Sequence, residues 1–336
     1  MTSLGPIAPS VIIPAYDVAD YLAGAVESVR RQTRPVRELI VVDDGSSDAT
    51  VKVARACAET WAKEGRVLRV ITQTNAGAAA ARNRGLELAE SAWVAFLDAD
   101  DRWHPTLLEE LASTLEGAPS AQLVFPQVRY VDEQDRPLGI ESRRGRARVG
   151  LKELLLDNPI HTASGVLVRT EALRKIGGFD PEQRACNDLE AWVRLATWTD
   201  DPIAASAAVA VDYRRRGGQI TSDWSRMRTY WLRMIDLAEG RRPEEVGPLR
   251  AEAYGRQHLY WSTLAYANGD FRAARRLVAR AWWHAGRSLA AHPHLWVRSV
   301  ACVASLLPTR VHEGIRDRFN QIRRTLRWDL SRAAPP

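Results

Sequence analysis

The chain has 336 residues, 46% of them hydrophobic and 26% charged, with a formal charge of +6. That balance suits a globular protein with room for a large core and a second, smaller unit, and it argues against a disordered or fibrous chain. Three cysteines, Cys57, Cys186 and Cys302, form neither a disulfide framework nor a zinc pattern, which points to a reducing compartment.

In chain order, Ser10 to Pro14 reads as a short buried strand, followed by a helix with Tyr21, Leu22, Ala25 and Val29 on one face. Leu39 to Val42 is a second strand, and it runs into Asp43-Asp44-Gly45-Ser46-Ser47-Asp48. A helix with Val51, Ala54, Ala58 and Trp61 at helical spacing comes next, then a strand over Val67 to Ile71. Gly77 to Ala89 forms a third helix, and Trp93 to Leu97 a fourth strand. Short apolar strands alternating with helices predict a doubly wound α/β fold, its mainly parallel sheet covered by helices on both faces.

The fourth strand ends in Asp98-Ala99-Asp100-Asp101, three carboxylates in four residues. Acids are costly to bury, so this loop is either solvated or holds a cation. An oxygen-rich site of this kind suits Mg²⁺ or Mn²⁺, hard ions that also bind phosphate. In open α/β sheets ligands bind beyond the carboxyl ends of the strands. Tyr16, Asp43, Asp44 and Asp98 to Asp101 would all lie on that edge. A tyrosine ring can stack on a nucleobase, and an aspartate can accept from a base N–H or a ribose hydroxyl.

These segments, from Ser10-Val11-Ile12-Ile13-Pro14-Ala15-Tyr16 through Asp43-Asp44-Gly45-Ser46, Asn75-Ala76-Gly77 and Ala81-Arg82-Asn83 to Phe96-Leu97-Asp98-Ala99-Asp100-Asp101, resemble the family-two inverting glycosyltransferases of GT-A fold. Gly177-Gly178-Phe179-Asp180 and Asn187-Asp188-Leu189-Glu190-Ala191-Trp192 are similar to that family's acceptor-side segment. The resemblance covers about residues 8 to 222. It implies that Pro14, Tyr16 and Asp44 contact the nucleoside, that Asp98 lies near ribose or metal, and that Asp100 is the main metal ligand. It implies Asp188 as the catalytic base. Arg82 is expected to act on phosphate or to order the acid loops. The donor would be a nucleoside-diphosphate sugar, and the acceptor a glycan or lipid-linked glycan of bacterial-type cell-surface synthesis. A non-catalytic nucleotide-sugar-binding or scaffold protein is the alternative, and retention of both Asp100 and Asp188 weighs against it.

Asp188 also reads as a base from local chemistry. It opens a helix, where the macrodipole favours a carboxylate over a carboxylic acid. Two departures from the family pattern stand out. Asn187 replaces a common glutamate, and Arg216 replaces a common histidine after Tyr213-Arg214. A guanidinium cannot ligate metal, but it can clamp a diphosphate. Cys186, with no histidine near it in sequence, reads as a buried neighbour.

Beyond residue 222 the pattern turns helical, so the expected division is a glycosyltransferase domain over 1–222 and an all-α extension over 223–336. Leu259 to Ala285 resembles one tetratricopeptide-like hairpin turning at Gly269-Asp270, and a true array needs about three repeats. The tail interleaves Val311, Ile315, Phe319, Ile322 and Leu326 with Arg310, Arg316, Arg318, Arg323, Arg324 and Arg327. That basic amphipathic pattern suits either an anionic membrane surface or packing on the protein itself. The basic residues form no nucleic-acid reading motif, so no nucleic-acid partner is expected. The short N-terminus shows no signal pattern and the apolar stretch Leu295 to Leu307 is too short to span a bilayer. The expected location is cytoplasmic, peripheral to the inner face of the cell membrane.

Overall fold

The computed structural model describes residues 7–142, 147–201, 203–216, 223–289 and 299–300. Cys302, His292 to His294, Gly217 to Gln219 and the basic tail from residue 310 lie outside the described residues. The chain divides into two units, one of residues 1–151 and 159–217, the other of residues 152–158 and 218–336.

The first unit begins with β1 (Ser10–Ala15), α1 (Ala19–Arg30), β2 (Glu38–Asp43), α2 (Thr50–Lys63), β3 (Leu68–Thr72), α3 (Ala78–Leu88) and β4 (Trp93–Phe96). β5 (Arg102–Trp103), α4 (Leu107–Glu116), β6 (Leu123–Val131), β7 (Pro137–Glu141) and β8 (Arg148–Val149) follow. After α5 (Leu151–Leu156), which lies almost wholly in the second unit, come β9 (Leu167–Arg169), α6 (Thr170–Lys175), α7 (Asn187–Trp198) and β10 (Ile203–Arg214).

The sheet runs β3-β2-β1-β4-β9-β6-β10-β5, with β7 on β6 and β8 on β10. β3, β2, β1 and β4 are mutually parallel. β9 is inserted antiparallel between β4 and β6, and β10 returns parallel to β6. This is the mainly parallel α/β sheet that the alternating pattern predicts. Every residue of β2 and β4 is buried, as strands covered on both faces should be. β3 is only partly buried, consistent with its place at the sheet edge.

Helix α3 sits close on β1. A side chain at Gly85 would collide with Ile12, so glycine there lets the helix approach the strand. That approach matters because α3 carries Arg82 and Asn83.

The second unit holds α8 (Trp224–Arg241), α9 (Pro243–Ala267) and α10 (Phe271–Leu289). Asp223 caps α8 by accepting from the Ser225 and Arg226 amides. α9 and α10 pack together around a turn at Asn268 to Asp270, where Gly269 takes φ +78°. Trp231 meets the Tyr254 and Trp261 rings edge-on at 5.5 and 5.6 Å. His258 is buried in this core, its Nδ1 2.7 Å from the Tyr254 carbonyl and its ring stacked 5.5 Å from His284.

Burial, together with the positive charges of Arg228 and Arg280 and the His284 ring, pulls the His258 pKa down from 6.5 to about 4. Its stabilising contribution is therefore complete above pH 6.5 and is lost as pH falls toward 4. Asp157 opposes it. Burial raises that carboxyl to about 6 despite its pairing with Arg256, so the folded state is relatively favoured as pH drops through 6. The two effects overlap, so the informative quantity is a difference. The melting temperature of His258→Leu minus that of the parent should be more positive at pH 5 than at pH 7.5. Thermal unfolding followed by circular dichroism checks this, and a difference independent of pH contradicts it.

Candidate active site

The carboxyl ends of β1, β2 and β4 hold the polar loops. After β1, Tyr16 is 50% exposed, with its ring free of the core. Asp17 takes φ +47° and its Oδ1 accepts from the Ser47 amide (2.7 Å), the Ser47 hydroxyl (3.2 Å) and the Asp48 amide (3.3 Å). Asp48 answers by accepting from the Ala19 amide at 3.1 Å. The loops after β1 and β2 are thus tied to each other. Pro14 lies within β1, paired with Val42 of β2 and half-buried.

Asp44 is buried and spends both oxygens within the protein. Oδ1 accepts from Gln73 Nε2 (2.8 Å) and the Ala76 amide (2.9 Å), and Oδ2 from the Gly77 amide (2.7 Å). It therefore shapes the loop leading into α3. Gly77, at φ +92°, turns the chain into the helix without a side-chain cap. Asp43, the residue before Asp44, keeps one buried oxygen, Oδ1, without a hydrogen-bond partner.

Arg82 joins segments far apart in sequence. Its side chain is buried, with Nη2 donating to Asp98 Oδ1 at 2.6 Å and Nη1 to Asn187 Oδ1 at 2.9 Å. Its guanidinium lies 5.5 Å over the Phe179 ring. The next residue, Asn83, forms a two-way clamp on Phe179: Nδ2 donates to the Phe179 carbonyl (2.7 Å) and Oδ1 accepts from its amide (2.8 Å). One turn of α3 therefore holds both the acidic loop and the segment leading to Asp188.

The three acids of the loop have separate environments. Asp98 faces Arg82, and its amide donates to Ser164 Oγ at 3.0 Å. Asp100 Oδ2 accepts from Arg216 Nε at 2.7 Å. Asp101 is buried and accepts from Ser164 Oγ (2.5 Å) and the Arg214 amide (2.9 Å). Burial, then the charges of Asp100 and Asp98, push its carboxyl well above the usual range. Arg214 is itself buried. It donates to the carbonyls of Asp100, Asp132 and Glu133, and it ion-pairs with Asp135. Asp101 and Arg214 are thus the buried struts of the loop, and Asp98 and Asp100 are its outward groups.

Asp188 lies in the first turn of α7, half-buried, with Oδ1 accepting from the Leu189 amide at 2.8 Å. Burial raises its pKa above the ordinary carboxylate value, and the nearby Arg82 charge opposes the rise. Glu190, two residues on, is committed to Arg194, which donates to Oε1 at 2.8 Å and to Oε2 at 2.6 Å. That leaves Asp188 the better placed proton acceptor of the two. Burial raises the Cys186 thiol pKa, which makes it a poor nucleophile.

Among the described residues no group of three or more His, Cys, Asp or Glu side chains is gathered as a ready-made metal cage. A divalent cation bound through one or two carboxylates and substrate phosphates needs no such cage. Asp100, 14% exposed and with one oxygen outside its bond to Arg216, fits that donor set.

The sequence reading singled out Pro14, Tyr16, Asp44, Arg82, Asp98, Asp100 and Asp188. The structure brings Arg82 and Asp98 into direct contact and places Asn187, the residue before Asp188, on the same guanidinium. Thr162, Ser164 and Tyr21 were missed. Thr162 Oγ1 lies 3.5 Å from Asp98, and the Tyr21 ring lies under Arg214 and Arg216 at 5.0 and 5.7 Å. Isolated hydroxyls and a tyrosine on an amphipathic helix carry no local signal.

The chain matches the Glycosyl transferase family 2 profile over residues 10–177, half of its length. The chain belongs to this family. Among similar proteins is the uncharacterised glycosyltransferase YibD of Escherichia coli, 44% identical over 102 residues, or 30% of this chain and 28% of that protein. The amylovoran biosynthesis glycosyltransferase AmsB of Erwinia amylovora is 33% identical over 128 residues, or 37% of this chain and 42% of AmsB. The matched stretches thus span less than half of these relatives. The fold is similar to that of the mannosyltransferase PcManGT from Pyrobaculum calidifontis, solved with GDP-Man and Mn²⁺. The two superpose with a TM-score of 0.58 at 20% identity, over 98% of this chain and 86% of the other.

Beside this candidate site, Gly178 is under a double constraint. It takes φ +69°, and a Cβ there would press into Asn83 Oδ1. Gly178→Ala should cost about 1–3 kcal/mol and loosen the clamp on Phe179. Denaturant unfolding of the purified variant measures the loss, and parent-like stability would show that the clamp is not needed.

Proposed function

We propose that the chain moves a sugar from a nucleoside-diphosphate sugar to an acceptor hydroxyl, with inversion at the anomeric carbon and with help from a divalent cation. The observation that carries this reading is Arg82. By holding Asp98 and Asn187 together, it sets the candidate base beside the acidic loop at the sheet's ligand-binding edge.

In this reading the Tyr16 ring stacks on the nucleobase, while Pro14 and Asp44 shape the nucleoside pocket. Asp44 fixes the loop before α3 through three accepted hydrogen bonds and keeps acceptor capacity on Oδ2 for the nucleoside. Asp98 would lie near the ribose or the metal, and Asp100 would be the main ligand of Mg²⁺ or Mn²⁺. When bound, the cation neutralises charge on the departing diphosphate. Arg216, which donates to Asp100, clamps the diphosphate in this reading. Asp188 accepts the proton of the acceptor hydroxyl as that oxygen bonds to the anomeric carbon. The anomeric bond to the diphosphate breaks in the same step, and the electron pair leaves with the phosphate oxygen. The raised pKa of Asp188 suits a base working nearer neutral pH.

The acceptor in this reading is a glycan or lipid-linked glycan of cell-surface polysaccharide synthesis, met at the inner face of the cell membrane. The name of AmsB, an amylovoran biosynthesis glycosyltransferase, supports that setting.

Two substitutions test the roles separately. Asp100→Ala should abolish the metal dependence of nucleotide binding, measured by calorimetry with UDP or GDP and Mn²⁺. Unchanged affinity and unchanged metal response would remove Asp100 from the metal site. Asp188→Asn should keep donor binding and lower turnover by about 10²-fold or more, as loss of a general base does. Near-normal turnover would place the base elsewhere.

A further inference from the structure

Helix α10 has two faces of opposite character. Ala273, Ala274, Leu277, Val278, Ala281 and Ala285 are buried. Arg272, Arg276, Arg280 and Trp283 are exposed, and at about 100° per residue they fall within roughly one quarter of the helix circumference. Trp283 is 87% exposed, far more than the other exposed large hydrophobic residues. From Phe271 to Leu289 the sequence contains five arginines and no acid.

The positive charge is not balanced locally. Among the described residues, Arg272, Arg276 and Arg280 enter no ion pair with a carboxylate, whereas Arg250 of α9 is paired with Asp236 and Glu239. Arg228 of α8 lies within reach of the Arg280 charge, and its Nε is buried without a hydrogen-bond partner. Positive charge left without a carboxylate partner suits a phosphate.

We propose that the exposed face of α10 is a docking surface for an anionic membrane, in which Arg272, Arg276, Arg280 and Arg228 engage lipid phosphates and Trp283 enters the headgroup layer. The chemistry is that of an interfacial amphipathic helix with one difference. Its apolar face is already used in the protein core, so the membrane is met by the arginine stripe and a single indole. Tryptophan is favoured at the membrane–water boundary because its ring is apolar and its N–H is polar. No helix among the described residues is long and apolar enough to cross a membrane, so this surface is one of attachment and not of spanning. It is also separate from the basic tail beyond residue 310, so both can be examined in one chain.

The test is co-sedimentation of the full chain with vesicles of pure phosphatidylcholine and of phosphatidylcholine with one third phosphatidylglycerol, at low and high salt. No donor or metal is added, so the outcome does not depend on the transfer reaction. The parent chain should pellet with the anionic vesicles alone, and less at high salt, because exposed charges are screened within about 8 Å at physiological ionic strength. Arg276→Gln with Arg280→Gln should weaken binding by about fivefold per arginine removed and flatten the salt dependence. Trp283→Ser should weaken binding at both salt levels. All these positions are exposed, and unchanged melting temperatures would confirm that the fold is kept. Parent-like pelleting of both variants would locate membrane contact elsewhere and overturn the proposal. Equal pelleting with neutral vesicles, or none at all, would overturn it too.

Discussion

A buried guanidinium with two partners organises the first unit. Arg82 lies on α3, yet its donors go to Asp98 after β4 and Asn187 at the start of α7. Taking an arginine out of water is expensive, and the cost is offset only when the donors find well-placed acceptors. Here the acceptors come from segments 16 and 105 residues away. The fold therefore has to bring both to α3 if Arg82 is to be buried. The tight approach of α3 to β1 at Gly85 and the Asn83 clamp on Phe179 serve the same end.

The acidic loop solves a related electrostatic problem. Three carboxylates in four residues repel one another, and the protein separates them by environment. One goes to Arg82, one to Arg216, and one is buried against a hydroxyl and a backbone amide. Arg214 then holds the loop's backbone from beneath. The result leaves Asp98 and Asp100 facing outward while Asp101 fixes their position. An acid-rich loop can be rigid in this way before any cation binds.

Much of this was legible in the sequence, for identifiable reasons. The βα alternation up to Phe96 shows because each strand is a short apolar run with a polar end. Asp98 to Asp101 stand out because acids at the end of a buried strand are expensive to explain otherwise. The antiparallel insertion of β9 and the pairing of β10 with β6 were not visible, since both depend on contacts made across long stretches of chain. Asp44 was read as a nucleoside contact, and its carboxylate also accepts three hydrogen bonds from the loop before α3. Sequence marks a residue as polar and well placed, but it does not say whether its hydrogen bonds are already taken. Ser164 illustrates the converse. It reaches both the Asp98 amide and the Asp101 carboxyl, yet nothing around it in sequence hints at either.

The adjacency of Arg82 and Asn83 bears on how such proteins can be recombined. One residue grips Asn187 and the other grips Phe179, so the segment from Phe179 to the start of α7 is registered against two consecutive positions of α3. A chimera that takes residues 177–198 from a relative while keeping its own α3 inherits a mismatched pair of grips unless those two positions agree. Exchange of this segment between family members is therefore a two-segment problem, and the structural unit of transfer is α3 together with the start of α7.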